Sequence, residues 1–513
     1  MPNLPSDLLT LREVEFGWPG MTSPLFQDLT VQFPSGWTGI VGANGSGKTT
    51  LLKICAGEIA PSTGAIHRQG NALYVAQRTD EPPENWEDFF WAPNAAALKS
   101  RLRISDDWSE PERWTTLSHG ERKRAQIAVA LWLEPALLAL DEPTNHIDAD
   151  ARHLLTTVLR DFRGTGLLVS HDRALLDDLC DHCLLLDPPH ATFRPGGVSE
   201  ATAQQDSEEQ ASQHESDVLR SAAERLRAEA QRRRVTADQK SAAARGSHQK
   251  KSSHNDPDGR AKRQLAKMTG KDSWAGKQFG QMARRAGKLE AAHDAVPVKK
   301  RYETGIWVED ASRLARDFLL RLPAGTLPLC DATGGDAPGR VLRHPDLAIG
   351  GADHIALTGA NGLGKSTLIR HILTRLSVPP ERLIYVPQEV TAEESRALLD
   401  TVKRFPEAER GRVMTTISRL GSRPGRLLES AQPSPGEVRK LLLALGIVRG
   451  PHLIVMDEPT NHLDLPGILC LEEALADCPC AMLLVSHDQL FLEKIANIHW
   501  HIEEDDNGDS RLR

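Results

Sequence analysis

This 513-residue chain has no apolar run approaching the ~18 residues needed to span a bilayer. Its opening, MPNLPSDLLTLREVEF, has neither the basic start nor the apolar core of a secretory signal. Both absences argue against a membrane or secreted protein and predict the cytoplasm. Cysteine is sparse. Seven is an odd number for a disulfide framework, and a chain of this length needs no covalent staples. Cys180 and Cys183 flank His182 in a lone CxxC, with no second pair at zinc spacing, so two buried thiols are expected there rather than a metal site. What remains is ordinary globular composition, 40% hydrophobic and 26% charged with a net charge of -8, long enough for two or three domains.

The dominant feature is internal repetition. GANGSGKTTLLK (Gly42 to Lys53) returns as GANGLGKSTLIR (Gly359 to Arg370), and LALDEPTNHID (Leu138 to Asp148) as IVMDEPTNHLD (Ile454 to Asp464). YVAQ, ending at Gln77, returns as YVPQ, ending at Gln388, and LLVSHD (Leu167 to Asp172) is repeated from Leu483 to Asp488. Position 48 thus maps to 365, 77 to 388, 141 to 457 and 171 to 487, a nearly constant register that chance does not produce. Two copies of one domain are predicted, within 1–195 and 303–513, separated by a charged connector over 196–302.

In each copy a glycine-rich loop joins a strand-like apolar run to a helix-like one, as in TGIVGANGSGKTTLLKICAG and HIALTGANGLGKSTLIRHIL. That context gives G-x-x-x-x-G-K-[ST] a mechanism: backbone N–H groups and a helix N-terminus converge on phosphate oxygens. The cradle comprises Gly42, Asn44, Gly45, Ser46, Gly47, Lys48, Thr49 and Thr50 in the first copy. In the second it comprises Gly359, Asn361, Gly362, Gly364, Lys365, Ser366 and Thr367. Lys48 and Lys365 are expected to reach the terminal phosphates of ATP, and the hydroxyls of Thr49 and Ser366 to hold Mg²⁺. ALLALDEP and LIVMDEP read as buried strands that end in two carboxylates. Asp141 and Asp457 suit the metal shell; Glu142 and Glu458 suit polarisation of the attacking water. His171 and His487 each follow another apolar strand, placed to contact the γ-phosphate.

Between the glutamine and the paired carboxylates lie LSHGERKRAQIAVAL (Leu117 to Leu131) and PSPGEVRKLLLALGI (Pro433 to Ile447). These resemble the signature motif of ATP-binding-cassette ATPases, and every cassette motif is present in order over about three quarters of the chain. The resemblance implies an α/β fold of two P-loop cassettes that close face to face on two ATP molecules. One site would pair Lys48, Gln77, Asp141, Glu142 and His171 with Ser434 and Gly436. The other would pair Lys365, Gln388, Asp457, Glu458 and His487 with Ser118 and Gly120, the glutamines Gln77 and Gln388 completing each Mg²⁺ shell. Trp18, 24 residues before Gly42, looks like the aromatic platform for adenine, and the second copy has no Phe, Trp or Tyr between Phe318 and Tyr385. Pro435 occupies a position where the family usually has glycine, as does His119. Proline lacks an N–H and fixes φ, so the loop at Pro435 is expected to lose any glycine-only conformation, leaving nucleotide binding but not assured hydrolysis. Unequal sites are predicted.

EPTNHID, EPTNHLD and two cassettes on one chain with a long charged connector resemble the ABC-F class. That resemblance implies a ribosome-binding ATPase acting on translation or protecting against antibiotics. Residues 231 to 290 carry 16 Lys+Arg against 5 Asp+Glu, a net of +11, leaving -19 elsewhere. One-signed charge suits phosphate backbone, so rRNA and tRNA are the expected partners of the segment around Arg232 to Lys271. The acidic stretch SEATAQQDSEEQASQHESD reads as a flexible exit from the first cassette. Val218 to Arg234, and the segment from Trp274 onward, read as two helices of a hairpin with a basic tip; Trp274 and Phe279 could equally stack on an unpaired base or pack the hairpin. No sizeable insertion lies between Gln77 and Ser118 or between Gln388 and Ser434, so the connector is expected to carry the contact. A monomer with its cassettes paired internally is predicted. A tandem-cassette transporter subunit leaves the +11 arm unexplained. Against a DNA-processing ATPase, the sequence shows no zinc-spaced cysteine pairs, and too few residues follow His487 to expect a further coiled coil.

Overall fold

The computed structural model describes residues 9–20, 24–144, 147, 149–248, 271–296, 318–329, 340–388, 390–422, 427, 434–461, 463–505 and 508–513. Its contacts divide the chain into two compact units, Met1–Ala201 with Tyr302–Arg513, and Thr202–Arg301. Among the described residues no helix is long and apolar enough to cross a membrane.

The larger unit holds both repeats, each built on its own parallel sheet. In the first, strand order is Ala72–Val75, Leu137–Asp141, Thr165–Val169, Gly36–Gly42, Cys180–Asp187 and His190–Pro195, only the last pair being antiparallel. The second repeats that order with Leu383–Val386, Leu453–Asp457, Ala481–Val485, His354–Gly359 and Ile498–Glu504, then extends through Ser510–Leu512 to two further strands. LLALD, TGLLV, LIVMD and AMLLV are buried at every position. That is the pattern of strands covered on both faces, where alternation of polar and apolar residues is lost. The two faces remain distinct: Leu138 and Leu140 join a cluster with Phe89, Trp114 and Ile127, whereas Leu137 and Ala139 join one with Leu9, Phe26 and Leu51. Each such buried leucine contributes ~1.5–3 kcal/mol. Cys180 and Cys183 lie in this core, where burial pushes the Cys183 thiol up to about 12.

Register aligns the chemistry. Asp141 pairs with Val169, and Gly42 ends the strand beside them, so the glycine-rich loop, the paired carboxylates and the histidine after Ser170 leave the sheet at one carboxyl edge. The second copy repeats this with Asp457 opposite Val485.

The smaller unit contains most of the helix Val198–His248 and all of Lys271–Ala295. A bidentate ion pair between Arg227 and Glu290 ties the two together, at 2.6 and 2.7 Å. The acidic stretch expected to be a flexible exit is helical instead. Gln204–Glu208, Gln205–Glu209 and Gln213–Asp217 contacts, one turn apart, satisfy side chains that would otherwise compete for the backbone. The basic tip over 249–270 lies outside the described residues, as do the side chains of Trp274 and Phe279.

Glycine at 166 is required by close packing: a Cβ there would stand 2.4 Å from Trp37 Cε3, and the indole is fixed by its N–H donating to Leu159 O at 2.9 Å. Gly166→Ala should therefore destabilise the first cassette by ~1–3 kcal/mol, read as a lower urea midpoint. An unchanged midpoint would contradict this packing.

Candidate active site

The first loop runs from Gly42 into the helix Lys48–Ala56. A Cβ on Gly42 would lie 2.7 Å from both Leu186 O and Ser46 Oγ, and one on Gly47 2.5 Å from Leu25, while Gly45 faces open space. Gly45 and Gly47 have φ of +80° and +92°, a region that glycine enters at least cost. Lys48 Nζ donates to Gly42 O (2.8 Å) and Ala43 O (3.2 Å), folding back over the loop. Thr49 Oγ1 donates to Asp141 Oδ2 at 2.7 Å, and Tyr74 OH to the same oxygen at 3.0 Å. The second loop matches: Lys365 Nζ donates to Gly359 O and Ala360 O, and Ser366 Oγ to Asp457 Oδ2 at 3.1 Å.

Glu142 and Glu458 follow these aspartates with φ of +48° and +51°. Such a conformation costs a non-glycine residue ~1–3 kcal/mol and persists only where the surroundings impose it. Each N–H donates to the neighbouring strand, Glu142 to Val169 O and Glu458 to Val485 O, both at 2.8 Å. The turned backbone aims the carboxylates at the histidines. His171 N–H donates to Glu142 Oε2 at 3.3 Å, with Nε2 standing 3.1 Å from Oε1; His487 and Glu458 repeat this at 3.3 and 3.4 Å. Ser46 Oγ and the Oε1 atoms of Glu142 and Glu458 are buried yet have no hydrogen bond of good geometry. Hydroxyl, carboxylate and amide oxygens facing a donor-rich loop are the hard-oxygen set that Mg²⁺ prefers, so these residues fit a metal–triphosphate.

Ser118 and Ser434 cap the helices His119–Trp132 and Pro435–Val448 through reciprocal bonds with Glu121 and Glu437. Pro435 sits in the first turn, where its missing N–H is one the helix does not use. Neither it nor His119, Gly120 or Gly436 adopts a positive φ. The expected conflict between proline and a glycine-only conformation therefore does not arise.

The first cavity, about 510 Å³, draws its walls from both copies. Trp18, Asn44, Gly45, Gly47, Lys48, Thr49, Thr50, Gln77, Asp141, Glu142 and His171 face Ser434, Pro435, Glu458, Asn461 and His487. Gly42 and Ser46 are buried and do not line it, and Gly436 is buried in the helical turn that Ser434 caps. Trp18 packs edge-on against Phe16 and remains 48% exposed at the cavity, free to meet a planar group. The second cavity, about 380 Å³, is lined by Asn361, Gly362, Gly364, Lys365, Ser366, Thr367, Gln388, Asp457, Glu458 and His487, with Leu329 and Asn461. Gly359 is not part of its lining. Among the described residues its lining includes none from the first copy, so the structure does not bring Ser118 and Gly120 to it.

The family model described as ABC transporter matches residues 26–145 and 342–461. Ribosome protection protein VmlR of Bacillus subtilis is 28% identical over 488 residues, covering 90% of this chain and 80% of that protein. Tylosin resistance ATP-binding protein TlrC of Streptomyces fradiae is 28% identical over 537 residues, covering 92% and 93%. The chain carries two ATP-binding-cassette domains and is similar to the tandem-cassette proteins of the ABC-F family. Those domains imply ATPase activity. The fold also matches a solved structure titled as a model of ribosome-bound archaeal Pelota and ABCE1, with a TM-score of 0.59 and 18% identity, covering 100% of this chain and 79% of that one.

The described residues make several contacts between the cassettes. Asn44 N–H donates to Asp464 Oδ2 at 2.6 Å. Arg173, beside the first histidine, pairs with the fully buried Glu472 and lies 3.5 Å from Asp488; Lys494 pairs with the same glutamate at 2.9 Å. The positions related by the repeat to Arg173 and Glu472 are Gln489 and Thr156, so this ion pair has no charged counterpart in the opposite direction. Motif reading missed it because its partners are 299 residues apart. It missed Lys123 and Arg439 too, buried cations on the two signature helices; a charged residue at an otherwise apolar helical position was the available signal.

Burial raises the Glu142 carboxyl to about 8 against the pull of Lys48, and the Glu458 carboxyl to about 7 against Lys365. A carboxyl raised by folding holds its proton where the unfolded chain has released it. Ionising Glu142 thus removes stability progressively as pH climbs from 4.5, its ordinary value, through about 8. Without nucleotide, the melting temperature of Glu142→Gln should rise relative to the parent by a few degrees between pH 5 and pH 9, given ~2–4 °C per kcal/mol. A difference that stays constant over that range would contradict the assignment.

Proposed function

We propose that the chain binds and hydrolyses two Mg²⁺-bound ATP molecules between its cassettes and uses their closure to act on the ribosome. The observation that carries this reading is the first cavity, where Ser434 of one cassette faces Lys48, Asp141 and Glu142 of the other. In each cassette the loop N–H groups and Lys48 or Lys365 hold the phosphates. Thr49, Asp141 and Gln77, and Ser366, Asp457 and Gln388, supply oxygens for the metal, which when bound neutralises charge on the transferring phosphoryl group. Glu142 and Glu458 orient the attacking water and take up its proton, and His171 and His487 hold those carboxylates in place. Trp18 stacks on the adenine of the first site. Ser434 and Gly436, and on closure Ser118 and Gly120, donate from helix N-termini to the far end of the triphosphate, so that ATP joins the cassettes and ADP releases them.

The cassettes are assigned to 1–195 and 303–513, and the connector to 196–302. Support for the ribosome as partner comes from the relative named as a ribosome protection protein and from the connector's net charge of +11 over 231–290. Cationic side chains near an RNA backbone release condensed counterions and give affinity that tolerates sequence and falls with salt. The protein would work as a cytoplasmic monomer, its connector meeting rRNA and tRNA.

Glu142→Gln with Glu458→Gln should lower ATP turnover by ~10²-fold or more while ATP still binds. On sucrose gradients with ATP, this variant should move into the ribosomal fractions. Replacing the basic residues from Arg232 to Lys271 by Gln in the same background should return it to the top. Failure of the trapped protein to co-sediment at low salt rules out the ribosome; co-sedimentation without the basic residues rules out the connector.

A further inference from the structure

The helix that brings Ser434 to the first cavity is fastened from behind by a buried arginine. Arg439 lies just beyond the first turn of Pro435–Val448 and is 3% exposed. Its Nη1 donates to Glu458 O at 2.9 Å and to Asn461 O at 2.6 Å, and its Nη2 donates to Gln388 O. All three of those residues line the second cavity. Glu458 is the candidate base of that site and Gln388 a candidate metal ligand. One guanidinium therefore joins the phosphate-facing end of a helix at one site to the backbone of two separate loops at the other. Its planar fork spans carbonyls that a single ammonium cannot hold together. The Glu458 peptide it grips is the one held at φ +51°, where a small displacement re-aims the carboxylate. The first cassette has Lys123 at the matching position, fully buried and donating to Ala76 O (2.7 Å) and Gln77 O (3.0 Å).

We propose that Arg439 is a positioning residue that couples the two sites. When Ser434 engages a triphosphate in the first cavity, the helix seats, and Arg439 fixes Glu458 and Gln388 for hydrolysis in the second. Turnover at the second site therefore depends on occupancy of the first. This rests on the paired-site reading above. A misplacement of about 1 Å at a reacting centre can cost ~10²-fold in rate, so a modest shift of this helix is enough.

The test uses the full-length chain carrying Glu142→Gln, so that turnover reports the second site. ATP hydrolysis is compared with and without Lys48→Ala, which empties the first site, in chains with Arg439 and with Arg439→Lys. With Arg439, Lys48→Ala should lower kcat ~10-fold, a coupling in the usual allosteric range, with KM little changed. With Arg439→Lys, kcat should already be low, and Lys48→Ala should change it by less than ~2-fold. Arg439→Gln, which keeps two donors without the charge, should give an intermediate response to Lys48→Ala, whereas a merely structural residue would alter stability and leave that response whole. An equal response to Lys48→Ala in all three backgrounds overturns the coupling alone. No turnover above a Glu458→Gln control, even with Arg439 present, overturns the paired-site reading together with it.

Discussion

Ser434 stands at the N-terminus of a helix whose first turn faces the glycine-rich loop of the other cassette across a shared cavity. That placement is the constraint on which the remaining structure depends. A single P-loop can cradle a triphosphate with its own N–H groups, but it leaves the outer face of the γ-phosphate to water. A second helix N-terminus supplies the missing donors only if a sibling domain presents them at the same depth. In the proposed sandwich, two copies on one chain meet that need at high effective concentration. The repeated sheets then place loop, carboxylates and histidine at one edge, where a partner can cover them.

The two copies are siblings rather than equals. Ser434 and Pro435 close one cavity, while the described lining of the other comes from its own cassette alone. The Arg173–Glu472 pair, buried and shared with Lys494, lies on one side of the pseudo-symmetry. Breaking a buried pair strands a charge, and the repeat-related Gln489 and Thr156 can form no such pair. Strain, by contrast, is shared: both glutamates are held in a left-handed conformation by strand contacts, which sets their aim.

Much of this was legible in the sequence because the chemistry is local. Gly42 to Thr50, Asp141 with Glu142, and the SHD after each apolar strand are short segments whose spacing alone implies an edge-of-sheet site. Buried strands announced themselves as LLALD and LIVMD. The repeat register then predicted the second set. What the sequence did not reveal is long-range or conformational. Arg173 and Glu472 are separated by 299 residues, and nothing in either neighbourhood names the other. The positive φ of Glu142 belongs to its strand contacts, since glutamate has no preference for it. Polar composition from Ser199 to Asp217 suggested a loose segment, yet contacts one turn apart keep it helical. Pro435, read as a conflict, occupies the one part of a helix that favours proline.

The central claim is that one triphosphate is held by donors from both cassettes. A structure determined with a non-hydrolysable ATP analogue and Mg²⁺ tests it most directly. The account predicts the γ-phosphate between Lys48 and Ser434, with Asp141 on the metal and adenine against Trp18. An analogue bound by the first loop alone, with Ser434 turned away from it, would contradict the account.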